Sequence, residues 1–227
     1  MSTTTSSPGR LVLDVPLGSP TRPTWRGRLH LVGLLVAIPL VVTVALLADG
    51  ARSRAGVVVY GAGLCSMLLA STTYHRWVHT VHRRTRWRRI DHAMIFAAIA
   101  GTFTPLCLTL MGSRAAVVLL ISVWLAAIIG ATIKISGWRR REHTATAVYI
   151  GNGWAAVLLA PALWARGGAV ATSLVFAGGV IYTVGAIGFQ RRWPTLRPST
   201  FSYHEVWHSC TLAAAGLHLA AVWIVTT

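Results

Sequence analysis

His204 and His208 stand four residues apart in the run His204-Glu205-Val206-Trp207-His208. On a helix that spacing puts both imidazoles on one face, about 6 Å apart at Cβ, which suits two ligands of one metal ion. The run also reads literally as H-E-x-x-H, the zinc-protease signature, in which Glu205 would be the base. From Ser209 to Val225 there is no Asp, Glu, Lys or Arg, so the motif opens an apolar segment of membrane-spanning length. Ser71 and His75 repeat the four-residue spacing at the end of an earlier apolar segment, and Asp91 opens another. Three neutral imidazoles, His75, His204 and His208, make a catalytic-type zinc site with a fourth position for water. Asp91 would hydrogen-bond that water or a ligand imidazole.

Each residue also has a plainer use. Asp91 suits the cap of a helix, and His75 suits an interfacial residue beside Arg76 and Trp77. Ser71 suits a small packing residue bonded back to a helix carbonyl, and Glu205 a favourable charge at a helix N-terminus. What favours the metal reading is a common depth, and that depends on the elements that carry the residues.

The chain of 227 residues is 54% hydrophobic and 11% charged, against about 25% charged in ordinary soluble domains. With a mean hydropathy of +0.60, this is the composition of an all-α polytopic membrane protein. Residues 1–24 are rich in Ser, Thr and Pro and lack the apolar core and cleavage site of a signal peptide, so they read as a disordered cytoplasmic tail. Residues 25–227 form one domain with seven apolar stretches, approximately 29–48, 55–75, 91–111, 114–135, 145–165, 168–189 and 204–225. Each has about 20 residues, enough to cross a ~30 Å hydrocarbon core as a helix. Pro39, Pro105 and Pro161 are expected to kink three of them, and Gly178, Gly179, Gly185 and Gly188 to form packing faces. Cys65, Cys107 and Cys210 all lie in apolar stretches and read as small buried hydrophobes.

Charge gives the orientation. Of the 21 Lys and Arg, only Arg52, Arg54, Arg114 and Arg166 fall on one side of this layout. The other 17 fall on the side of the N-terminus, which is therefore predicted to be cytoplasmic, with the C-terminus outside. That is the reverse of a G-protein-coupled receptor. The net charge of +16 then needs no nucleic acid, because it forms a cytoplasmic rim able to contact anionic headgroups. Ser71, His75, Asp91, His204 and His208 all come out near the cytoplasmic surface, from three different helices. Ionisable residues at a span edge are candidates for a functional site.

The other histidines fit less well. His79, His82 and His143 fall in arginine-rich connections and read as solvated, and His92 turns about 100° away from Asp91. His30 starts the first span and is placed to join the site's polar network. His218 lies ten residues beyond His208, about 15 Å deeper along a helix. It reads as a buried residue bonded between helices.

In these residues the chain resembles the progestin and adipoQ receptor family, specifically its bacterial hemolysin III branch. The resemblance covers all seven spans. It rests on Ser71-Thr-Thr-Tyr-His75, Asp91, Gly101-Thr-Phe-Thr-Pro105, Gly151-Asn-Gly-Trp154, Gly179-Val-Ile-Tyr-Thr-Val-Gly185, and His204-Glu-Val-Trp-His208 with His218. It implies a seven-helix protein of the bacterial plasma membrane with Zn2+ near the cytoplasm, bound by His75, His204 and His208. Asp91 would orient the metal's water, with Ser71 beside it. Many relatives place a Glu and an Asn ahead of the first-helix histidine, whereas this chain has Trp25-Arg26-Gly27-Arg28-Leu29-His30. The family is similar to alkaline ceramidases, which implies a hydrolase of lipid amides or esters with membrane lipids as partners. A non-enzymatic protein of membrane homeostasis with a structural zinc is the alternative. A cytolysin or an intramembrane metalloprotease based on Glu205 ranks below both.

Overall fold

The structure, a computed structural model, describes residues 23–110, 114–137 and 142–227, the side chains of Val81 and of residues 142–145 excepted. The tail expected at 1–24 therefore lies, apart from Pro23 and Thr24, outside the described residues.

The described residues form helices and no strand. They are α1 (Arg28–Leu47), α2 (Gly50–Thr72), α3 (Val81–Leu110), α4 (Arg114–Ser136), α5 (Glu142–Trp154), α6 (Ala160–Gln190) and α7 (Tyr203–Thr226). α2 continues into a π-turn at Thr73–Trp77, and α5 into a 3₁₀ stretch at Ala155–Leu159. Six helical segments are long and apolar enough to cross a membrane: 28–47, 50–77, 82–110, 114–136, 146–190 and 203–226. Such segments make the chain a multi-pass membrane protein.

The fifth segment has 45 residues and would measure about 68 Å as one straight helix, roughly twice the hydrocarbon core. It is not straight. Gly168 breaks it with φ 65° and ψ −167°, a conformation essentially confined to glycine. The two halves then lie side by side. Trp154 Nε1 donates to Thr183 Oγ1 at 3.0 Å, the Gln190 amide bonds Thr146 Oγ1, and the rings of Trp154 and Phe176 are 6.2 Å apart.

Three expectations are corrected here. The helix that carries the third span does not start at Asp91: α3 begins at Val81, and Asp91 lies ten residues inside it. Hydropathy marks only the lipid-facing part of a helix, whereas arginine is a good helix former, so the Arg83–Arg89 run stays helical as it leaves the membrane. Asp91 is thus no cap, and His82 is part of a helix rather than a loop. Pro161 stands in the first turn of α6, directly after the 3₁₀ stretch at Ala155–Leu159, where its missing N–H has no partner to lose.

Glycines bring α2 and α3 together. A Cβ on Gly56 would lie 2.7 Å from Pro105 Cα, and one on Gly63 would lie 2.6 Å from the Ala97 carbonyl oxygen. Tyr60, buried on α2, donates its hydroxyl to the Ala215 carbonyl of α7 at 3.2 Å. On the outside, α1 shows Val32, Leu35 and Val36, and α4 shows Val117, Val118, Ile121, Ile128 and Ile129, all exposed. These outward apolar faces are what a lipid-embedded bundle presents.

Candidate metal centre

The first turn of α7 is fixed by a capping box. Ser202 Oγ accepts the His204 N–H at 3.4 Å, and the Ser202 N–H donates to Glu205 Oε2 at 2.8 Å. This reciprocal pair satisfies two of the helix's orphan donors and sets the phase in which His204 and His208 emerge. Glu205 is fully buried, and Arg26 Nε donates to its Oε1 at 2.5 Å. Arg26 Nη2 also reaches Ser202 Oγ at 3.2 Å. The arginine is held by a short strap, in which Thr24 N–H donates to the Ser199 carbonyl and Trp25 N–H to the Thr200 carbonyl, each at 3.2 Å.

His75 comes from the π-turn that ends α2, where Val78 N–H bonds back to the Thr73 carbonyl at 3.1 Å. π-turns inside helices shift a side chain around the axis and are frequent at functional sites. Gly27 lies against this turn with φ 74°, and a Cβ there would meet His75 Cβ at 2.7 Å. Only glycine lets the chain entering α1 pass so close.

The three histidines expected to share a metal do converge. His75 Nε2 and His204 Nε2 are 3.2 Å apart, and one ligand atom from each of His75, His204 and His208 lies within 4.8 Å of the others. Two imidazole nitrogens facing each other can share at most one proton. His208 Nδ1 is in addition buried with no hydrogen-bond partner. The donor set therefore fits a bound divalent cation: three neutral nitrogens around one point, as zinc sites use.

Asp91 Oδ2 is 3.8 Å from His75 Nε2, and Ser71 is near enough to hydrogen-bond the same carboxylate. The expected neighbours of the trio are thus beside it. His30 lies beside the trio, as its place at the start of the first span suggests. Its ring stacks on His208, with centroids 3.8 Å apart and planes 8° from parallel, and both its nitrogens are buried without a partner. His218 stands apart from the trio, its Nε2 3.1 Å from the Val175 carbonyl of α6. That is the interhelical bond expected of it. Glu205 is tied to Arg26 and Ser202, so the HEVWH run does not present a free base.

The trio lies in the wall of a cavity of about 720 Å³. Along α3 its lining passes from Arg84 and Arg88 through Asp91 to Ile95, Ile99, Phe103 and Leu106; Tyr149 and Trp154 face it from α5, and Val175 and Phe176 from α6. A profile of haemolysin-III related proteins matches residues 19–219. The chain belongs to this family.

Two bacterial relatives of this haemolysin-III protein are similar over most of their lengths. The "Hemolysin-3 homolog" of Bacillus subtilis (strain 168) is 30% identical over 191 residues, which cover 82% of this chain and 85% of the relative. The "Hemolysin-3" of Bacillus cereus is 31% identical over 191 residues, 83% of this chain and 84% of the relative. The human "Monocyte to macrophage differentiation factor" is 26% identical over 196 residues, 82% and 78%. These matches agree with the branch suggested by the SxxxH, Asp and HxxxH residues.

The role of Arg26 does not show in the sequence, where it reads as one of the 17 positive charges on the side of the N-terminus. A signal was available for its partner: Ser202-x-x-Glu205 is a capping-box pattern, and it placed the glutamate in the helix's first turn. Nothing local pointed to the arginine 179 positions away.

Proposed function

We propose that this haemolysin-III family protein is a zinc-dependent hydrolase of amide or ester bonds in membrane lipids, working at the cytoplasmic leaflet. The observation that carries the reading is the convergence of His75, His204 and His208 beside Asp91, in the wall of a cavity that continues into apolar surface. Zinc held by these three imidazoles would polarise a carbonyl and lower the pKa of water to about 7.

The chain's own residues supply the rest. Asp91 takes a proton from the attacking water at its carboxylate and returns it to the leaving nitrogen or oxygen as the C–N or C–O bond breaks. Ser71 holds that carboxylate toward the trio. Ile95, Ile99 and Phe103 accept the hydrocarbon and exclude water from the reacting centre. The fold-back at Gly168 supports two crossings by residues 146–190 and hence seven spans. With an odd number of spans the 17-to-4 charge asymmetry puts the N-terminus and the trio on the cytoplasmic side.

One observation favours the second reading, a structural zinc in a non-enzymatic protein. His75 ends α2 while His204 and His208 start α7, so a shared ion would clamp two helices. The readings separate on turnover. Purified zinc-loaded protein should release fatty acid from a lipid amide or ester, and Asp91→Asn should lower the rate by at least about 100-fold while keeping its zinc. No turnover in either protein, or equal turnover in both, would remove the hydrolase reading.

A further inference from the structure

One end of the cavity, the one the exposed Arg88 and Arg192 mark as its mouth, is cationic. Its lining includes Arg26, Arg84, Arg88, Lys134 and Arg192, against Asp91 as its one carboxylate among the described residues. Arg26 bonds Glu205, and Arg84, Arg88 and Lys134 have neighbours of their own. The other four come from three places in the chain: Arg84 and Arg88 from α3, Lys134 from the last turn of α4, and Arg192 from the connection after α6. Arg84 lies over the Tyr74 ring, 5.7 Å from its centroid, so it is held at the wall rather than spread along the surface. Arg88 and Arg192 are exposed, as residues at a mouth would be.

Distances along α3 order the cavity. At 1.5 Å per residue, Arg88 lies about 4.5 Å and Arg84 about 10 Å from the level of Asp91 on the open side, and Leu106 about 22 Å on the other. Charge, reacting residues and apolar wall therefore follow one another along a single helix. That sequence of environments matches an amphiphile whose charged group is separated from its hydrocarbon by the bond beside His75 and Asp91. Arginine pairs bidentately with carboxylate and phosphate oxygens.

We propose that Arg84, Arg88, Lys134 and Arg192 select an anionic amphiphile, binding a lipid's phosphate or carboxylate one to two helical turns on the open side of Asp91. This rests on the lipid reading of the cavity and adds the class of lipid: anionic rather than neutral. It differs from general attraction between the basic rim and anionic headgroups. Arg83 and Arg86 belong to the same helical turns of α3 and are exposed, yet neither is part of this wall.

The test uses the full-length zinc-loaded protein in a neutral detergent and two ether-linked probes, which it cannot cleave. These are a didecyl phosphatidic acid analogue and the matching didecylglycerol, titrated by native mass spectrometry. The phosphatidic acid analogue should bind at least about tenfold tighter, the effect of one charge-assisted contact. Arg88→Gln/Arg192→Gln should close that gap while leaving didecylglycerol binding unchanged, and Arg83→Gln/Arg86→Gln should preserve it. Equal binding of the two lipids by the wild type would refute charge selection but leave the lipid reading intact. Loss of the gap in the Arg83/Arg86 variant as well would refute the cavity as its origin. If neither lipid binds, both readings fall. Inorganic phosphate binding as tightly as the lipid analogue, with the same dependence on Arg88 and Arg192, would show a free-anion site and overturn the amphiphile.

Discussion

Replacing Arg26 by methionine strands a carboxylate. Glu205 is fully buried and Arg26 is only 5% exposed, so water cannot take over the guanidinium's part. The substitution removes the 2.5 Å bond to Oε1 and the 3.2 Å bond to Ser202 Oγ. Glu205 keeps two contacts from Ser202, at 2.8 Å from the backbone N–H and 2.6 Å from the hydroxyl. Breaking a buried pair from one side costs about 3–5 kcal/mol, and the surviving contacts put this case at the lower end, about 3 kcal/mol. Arg26→Met/Glu205→Leu removes the stranded charge together with its partner and should recover about two-thirds of that loss. The remainder reflects the broken capping box, worth about 1 kcal/mol. Equilibrium unfolding of the purified protein in detergent reads both values. Zinc titration gives an independent readout, because the same pair sets the turn that carries His204. Affinity should fall about tenfold in the single variant, as for other groups that orient metal ligands, and less in the double. A single variant that loses under 1 kcal/mol, or a double variant no better than the single, would refute the claim that Arg26 anchors α7.

Three further outcomes follow from the same geometry. Gly27→Ala should destabilise by about 1–3 kcal/mol more than Gly50→Ala in thermal unfolding. Both glycines have φ 74°, but only the first would drive a Cβ against His75. Metal analysis should show about one zinc per chain, lost in His208→Ala and retained in His218→Ala, whose side chain bonds Val175 instead. Gly63→Ala should cost about 1–3 kcal/mol by pushing α2 off the Ala97 carbonyl. Gly151→Ala, with nothing within 4 Å, should be neutral or gain about 0.5–1 kcal/mol of helix propensity.

Much of the site could be read in advance because its information is local. The i, i+4 spacing of His204 and His208 needs only a helix. His75 and Asp91 join them once hydropathy and charge asymmetry have arranged the spans. What escaped depended on contacts between distant segments or on backbone detail. The Arg26–Glu205 pair closes a long interval of chain that no periodicity reports. The π-turn that aims His75 leaves no hydropathic trace. The start of α3 at Val81 was hidden because an arginine-rich helix reads as a loop on a scale tuned to lipid. The break at Gly168 is a partial exception, because it falls where the apolar stretches 145–165 and 168–189 part, in Arg166-Gly167-Gly168-Ala169. Its φ and ψ are what distinguish a reversal from a packing face.

The 129 positions between His75 and His204 also set an order of events during biosynthesis. His75 is made early, on the second helix, and waits through the synthesis of four more helices before His204 and His208 leave the ribosome on the last. Until α7 has inserted and its cap has closed on Arg26, the nascent chain holds one of the three imidazoles and no usable site. A metal held by these three histidines could be captured only once α7 is in place. A chain truncated before α7 would take none, and metal loading in cells would report completed insertion, since every earlier intermediate lacks two of the three donors.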